Sequence, residues 1–112
     1  MALIPFDDRD GLIWMNGEMI PWRDARTHSL THALHYASQV FEGERAYSGK
    51  IFKSREHTER LRASCQYLDF DLPLGNEEFD AIKAQVLDAN DISDGYVRAF
   101  CWRGSEMMAI SA

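Results

Sequence analysis

The 112 residues predict an α+β fold, an antiparallel sheet with two helices packed on one face. Three observations carry it: an Asn-Gly pair between two short apolar runs, a long alternating run answered by a second one near the C-terminus, and two helix-period segments between them. Residues 1–11 are polar and read as a loosely held arm, which leaves 12–112 as the domain. Leu12-Ile13-Trp14-Met15, Asn16-Gly17 and Glu18-Met19-Ile20 form a hairpin, because Asn-Gly tolerates the two positive φ angles of a type I′ turn. Thr27–Tyr36 has no clear period. Gln39–Tyr47 and Ile51-Phe52-Lys53 form a second hairpin across Ser48-Gly49-Lys50.

From Ser54 the pattern turns helical. Ser54 is the expected N-cap, Glu56 lies in the first turn, and His57, Leu61, Ser64/Cys65 and Leu68 recur at helical spacing. Pro73 and Gly75 break the chain. Asn76 is the expected cap of a second helix, with Glu77 and Glu78 complementing its dipole and Phe79, Ile82, Val86 and Ala89 facing inward. Tyr96–Trp102 returns as a strand.

Composition excludes some partners. Lys+Arg number 12 against 18 Asp+Glu, a net charge of −6, so no nucleic-acid binding through a basic surface is expected. No apolar stretch reaches the roughly 18–20 residues of a membrane span. The N-terminus has no basic run followed by an apolar one, so no signal peptide is expected. Cys65 and Cys101 make no disulfide framework and read as small buried hydrophobes of a reduced, cytoplasmic chain.

Four groups of residues could carry chemistry. His28, His32 and His35 could ligate zinc on one helical face, but no fourth ligand accompanies them, and histidines satisfying loop backbone are the expected reading, with no metal. In Val40–Tyr47, alternation sends Phe41, Gly43, Arg45 and Tyr47 to one face and Val40, Glu42, Glu44 and Ala46 to the other. That window leaves two readings open: a face approached by a ligand at its glycine, or an edge strand whose Arg45 pairs with a surface acid. Arg60 is either solvated and paired with Glu56 one turn back, or a fork that clamps a phosphate. Tyr96 and Arg98 share a strand face and together could hold a carboxylate.

Taken together, Trp14-Met15-Asn16-Gly17-Glu18, Asp24-Ala25, His32-Ala33-Leu34-His35-Tyr36, Val40–Tyr47, Phe52-Lys53, Glu56-His57-x-x-Arg60-Leu61 and Tyr96-Val97-Arg98 resemble, in order and spacing, the N-terminal small domain of a branched-chain amino-acid aminotransferase. These are fold-type IV enzymes that depend on pyridoxal phosphate. The resemblance covers about residues 12–108, and Trp102–Met108 resembles a subgroup found in some proteobacteria. It implies the small domain of the D-amino-acid aminotransferase-like fold. By it, Arg60 matches the arginine that binds the cofactor phosphate. Tyr36 and Phe41 match aromatics of the pocket for a branched side chain, and Gly43 the glycine that keeps that wall low. Tyr96 and Arg98 match the pair that accommodates the distal carboxylate of glutamate, and Arg45 a position near this site. The Trp102–Met108 stretch implies a dimer or higher homo-oligomer.

The only lysines are Lys50 in a predicted turn, Lys53 at a strand end and Lys83 on a surface helix, and none matches the family's Schiff-base lysine. The resemblance therefore implies that this lysine belongs to a larger C-terminal domain absent from this sequence. The chain alone is then expected to be inactive and not to hold the cofactor stably. The other readings are a non-catalytic interaction module with the same fold, or another enzyme of the superfamily, a D-amino-acid transaminase or an aminodeoxychorismate lyase.

Overall fold

A computed structural model of the chain describes residues 3–107, so Met108 and the rest of the C-terminus lie outside the described residues. The first hairpin forms as the Asn-Gly pair requires. Strand β1 (Leu12–Met15) pairs with β2 (Glu18–Pro21) in the register Ile13↔Ile20, and Asn16 and Gly17 take φ 52° and 100°. Asn90 docks this hairpin onto the rest of the fold. Its Oδ1 accepts from the Leu12 N–H at 2.8 Å, and its Nδ2 donates to the Leu12 carbonyl at 3.1 Å, in place of a neighbouring strand. Residues 3–8 are exposed, yet the arm is tethered: the Trp22 indole donates to the Phe6 carbonyl, and Arg23 pairs with Asp8 and Asp10.

The main sheet has three antiparallel strands in the order β4 (Lys50–Ile51), β3 (Gln39–Tyr47), β5 (Gly95–Trp102). Its hairpin is tighter than the sequence suggested. Ser48 and Gly49 alone make the turn, at φ 51° and 81°, and Lys50 pairs with Tyr47 instead of turning. A two-residue loop with positive φ at both positions matches the twist of the strands, whereas a three-residue loop needs a bulge. β4 therefore stops at Ile51, and Lys53, at φ 54°, becomes the residue before helix α2 (Ser54–Tyr67). Ser54 is thus the first helical residue and not the cap, and its Oγ is buried without a partner.

Helix α3 (Asn76–Ala89) differs from expectation in the same way. Gly75 holds the cap position, because the Asn76 Oδ1 instead accepts from Arg62 Nε at 2.9 Å and ties the two helices together. The buried residues of α3 are Phe79, Lys83 and Leu87, with Ile82 and Val86 half-buried and Ala89 exposed. Lys83 was expected on the surface; the acid that draws it inward is described below.

Both helices cover one face of the sheet, as the alternation required. Leu61 and Cys65 of α2, Phe79 of α3, Leu72 of the linking loop and Ala99 of β5 form one cluster. Ala46, Leu87 and Val97 form a second, with Ile51 packed against it. Arg62 holds the loop between the helices by donating to the carbonyls of Leu72 and Leu74. The opposite sheet face, carrying Phe41, Tyr47, Tyr96 and Phe100, is exposed. Of the helices among the described residues, none is long and apolar enough to cross a membrane.

Candidate functional site

The open face owes its layout to strand register. Phe41 opposes Phe100, Gly43 opposes Arg98 and Arg45 opposes Tyr96, and the side chains of Phe41, Tyr96 and Arg98 converge around Gly43. The guanidinium carbon of Arg98 lies over Phe41, 3.7 Å from the ring centroid, and its Nη1 donates to Tyr96 Oη at 3.3 Å. The phenol of Tyr96 leans across Gly43, where a Cβ would come within 2.7 Å of Oη and 3.0 Å of a ring carbon. Gly43 therefore lets the phenol lie against the strand, the reading in which a glycine in a strand makes room. The result is an apolar floor crossed by a cation and a hydroxyl, both half exposed to solvent. The chemistry of such a surface suits an aliphatic side chain against Phe41 or a carboxylate at Arg98.

Gly43→Ala tests the close approach. Tyr96 is 56% exposed and can swing outward, so the substitution should cost less than about 1 kcal/mol in urea unfolding. It should nevertheless break the contact between Tyr96 and Arg98, seen as a shift of the Tyr96 ring resonances.

Two other candidates stay outside this cluster in the described contacts. Tyr36 sits on the short helix α1 (His32–Tyr36), its ring 4.7 Å from that of His32. Arg45 shares the open face but lies by Tyr47, 5.9 Å from that ring's centroid. The edge-strand reading of this window fails, since β3 is the central strand.

Arg60 belongs to the helix layer. It does not pair with Glu56, which instead meets Lys53 at 3.6 Å. Its Nε donates to Glu42 Oε2 at 2.8 Å and its Nη2 to Oε1 at 2.7 Å, a side-on fork. His57, three residues earlier on α2, places Nδ1 2.7 Å from the same Oε1. The Glu42 side chain is only 4% exposed and that of Arg60 is 68% exposed. The Arg60 guanidinium holds the Glu42 carboxyl below the usual carboxylate range against the effect of burial, with His57 adding to it. Nη1 and the outer hydrogen of Nη2 point away from this fork, and they suit an anion.

A second buried acid lies one pleat along. Glu44 is 1% exposed and meets Lys83 Nζ at 2.6 Å; the ammonium also donates to the Ser54 carbonyl at 3.0 Å and has Asp80 3.8 Å away. Burial pushes the Glu44 carboxyl up, with Lys83 opposing it. Asp80 in turn accepts from Arg55 at 2.7 Å and from the Thr58 hydroxyl. Sequence reasoning missed this group and the part played by Glu42, although alternation had placed both glutamates on one strand face with Val40 and Ala46. An inward carboxylate demands an inward cation, and that demand was the available signal.

The histidines serve local structure. His32 Nδ1 lies 2.6 Å from Ser38 Oγ, His35 Nε2 lies 2.8 Å from the Ser29 carbonyl oxygen, and His28 Nδ1 accepts from the Leu30 N–H at 3.0 Å. Among the described residues no group of His, Cys, Asp and Glu is placed to hold a metal ion. Cys65 is fully buried, and burial pushes the Cys101 thiol up to about 12, with the neighbouring Cys65 adding to the shift, so neither is a ready nucleophile. A shallow groove of about 400 Å³ lies at the end of β5, lined by Phe70, Trp102, Arg103 and Gly104, away from Gly43 and Arg98.

Known proteins resemble this chain in sequence and in fold. The family model described as amino-transferase class IV matches residues 39–111. A probable branched-chain-amino-acid aminotransferase of Rickettsia bellii is 48% identical over 98 residues, covering 88% of this chain and 34% of that protein. The branched-chain-amino-acid aminotransferase of Pseudomonas aeruginosa is 40% identical over 109 residues, covering 94% and 36%. Among solved structures, a T.th. branched-chain amino acid aminotransferase complexed with N-(5'-phosphopyridoxyl)-L-glutamate superposes with a TM-score of 0.86 at 37% identity, over 91% of this chain and 36% of that one. The chain thus spans about a third of the length of the relatives it matches.

Proposed function

Because the chain belongs to the class-IV aminotransferase family, we propose that it forms the small domain of a pyridoxal-phosphate-dependent branched-chain aminotransferase. That enzyme moves an amino group between leucine, isoleucine or valine and 2-oxoglutarate. The observation that carries this reading is the cluster of Phe41, Gly43, Tyr96 and Arg98 on one face. Phe41 is the wall for a branched side chain, and Tyr36 on α1 is a second aromatic of that pocket. Arg98 and Tyr96 take the distal carboxylate of glutamate in the other half of the exchange, and Arg45 lies at the rim. One surface thereby serves an apolar and an anionic side chain, because its cation rests on the aromatic floor that the apolar ligand uses.

The donor set on this chain fits part of the cofactor. Arg60 offers exposed N–H groups to the phosphate while its inner edge is tied to Glu42. Pyridoxal phosphate, when bound, supplies the electron sink for bond-breaking at the amino acid's α-carbon. The lysine that would carry it is not among those present: Lys83 is committed to Glu44, and Lys50 and Lys53 stand exposed at the surface. We assign that lysine to a larger domain, and we place the working enzyme as a cytoplasmic homo-oligomer.

The test has two arms. The enzyme containing this domain should aminate 2-oxoglutarate from leucine, isoleucine and valine; a preference for D-alanine as donor would overturn the reading. The 112-residue chain alone, mixed with pyridoxal phosphate and borohydride, should give no stoichiometric adduct on Lys50, Lys53 or Lys83 and should not transaminate leucine. A stoichiometric adduct on any of the three would place the chemistry in this chain after all.

A further inference from the structure

We propose that Glu42 is a positioning residue that orients Arg60 toward an anion and that His57 holds Glu42 in place. The proposal rests on the reading that Arg60 binds the cofactor phosphate, and deepens it. A surface arginine has many rotamers, and ordering them on binding costs affinity. Here the ordering is already present. The Glu42 carboxylate, 4% exposed on the covered side of β3, cannot follow a moving guanidinium, so it fixes the plane of the Arg60 fork through Nε and the inner Nη2 hydrogen. His57 and Arg60 lie three residues apart on one side of α2, so both grip the same oxygen, Oε1, with contacts of 2.7 Å each. The Glu42 backbone lies between Phe41 and Gly43, whose side of the strand is the open face. The same three residues of β3 therefore shape the substrate wall on one side of the sheet and aim the arginine on the other.

An ion pair that served stability alone would have no bearing on ligand affinity. A carboxylate that merely competed for the guanidinium would weaken anion binding, and its removal would tighten it. Orientation makes the opposite prediction.

The experiment uses the apo form of the enzyme that contains this domain, with Glu42→Gln, Arg60→Ala and the double variant. Dissociation constants are measured for pyridoxal phosphate and for pyridoxal, which lacks the phosphate. Arg60→Ala should weaken pyridoxal phosphate roughly ten- to hundredfold and leave pyridoxal unchanged. If it does not, the phosphate reading of Arg60 falls and the positioning role with it. Glu42→Gln should weaken pyridoxal phosphate about three- to tenfold, leave pyridoxal unchanged, and add less than about twofold once Arg60 is alanine. If Arg60→Ala acts as expected but Glu42→Gln has no effect, tightens binding, or weakens both ligands alike, only the positioning role is overturned. Should Glu42→Gln fail to fold, Glu42→Asp keeps the charge but withdraws it by one methylene. Weaker binding of pyridoxal phosphate relative to pyridoxal in that variant supports the proposal, and an unchanged ratio overturns it.

Discussion

Replacing Lys83 by methionine should destabilise the fold by about 3–5 kcal/mol, the largest stability effect expected of any single change here. Methionine matches the volume of the lysine stem but leaves Glu44, 1% exposed, with its charge uncompensated. The Ser54 carbonyl loses its donor as well. The loss should depend on pH in a definite direction. Burial already pushes the Glu44 carboxyl up with Lys83 opposing it, and without the ammonium it rises further above the roughly 4.3 of an unfolded glutamate. A raised carboxyl contributes no penalty below the unfolded value, where it is protonated in both states. It costs stability progressively as pH rises through the folded value. The gap between Lys83→Met and the parent in urea unfolding should therefore be narrower at pH 4 than at pH 8. Adding Glu44→Gln to the Lys83→Met variant should restore a large part of the loss, since the buried charge is then gone. An equal gap at both pH values, or no recovery in the double variant, would show that the pair is not the buried interaction its geometry describes.

In the proposed enzyme containing this domain, Arg98→Ala should separate the two substrate classes. The guanidinium is the cation nearest Phe41, lying 3.7 Å over its ring with Nη1 on the Tyr96 hydroxyl. A charged hydrogen bond to a carboxylate is lost in the alanine variant, so kcat/KM for glutamate should fall about 10- to 100-fold. Leucine presents an aliphatic side chain to Phe41, whose ring remains and becomes more accessible. Its kcat/KM should change by no more than about threefold. Steady-state kinetics with both donors decides the matter; equal losses would remove Arg98 from the distal-carboxylate role and leave it a structural partner of Phe41.

Several elements were legible in the residues because their signals are local. Asn16-Gly17 dictates a turn through its own φ angles. Alternation over Gln39–Tyr47 sorted Phe41, Gly43, Arg45 and Tyr47 from Glu42, Glu44 and Ala46, and the structure keeps that sorting. The caps at Ser54 and Asn76 each missed by one residue for non-local reasons. The two-residue turn at Ser48-Gly49 moved the hairpin's register, and Arg62 claimed the Asn76 side chain. The contacts that tether the arm were not legible because Trp22 and Arg23, which make them, lie beyond the first strand.

Sequence by itself determined the fold class and which residues share a strand face, among them Phe41 with Gly43 and Tyr96 with Arg98, since a period of two needs only the identity of neighbours along the chain. The tertiary structure decided who partners the charges. Glu42 lies 18 positions from Arg60 and Glu44 lies 39 from Lys83. No periodicity connects residues that far apart. Only the packing of α2 and α3 onto the sheet removes water from both carboxylates and makes a cation obligatory beside each.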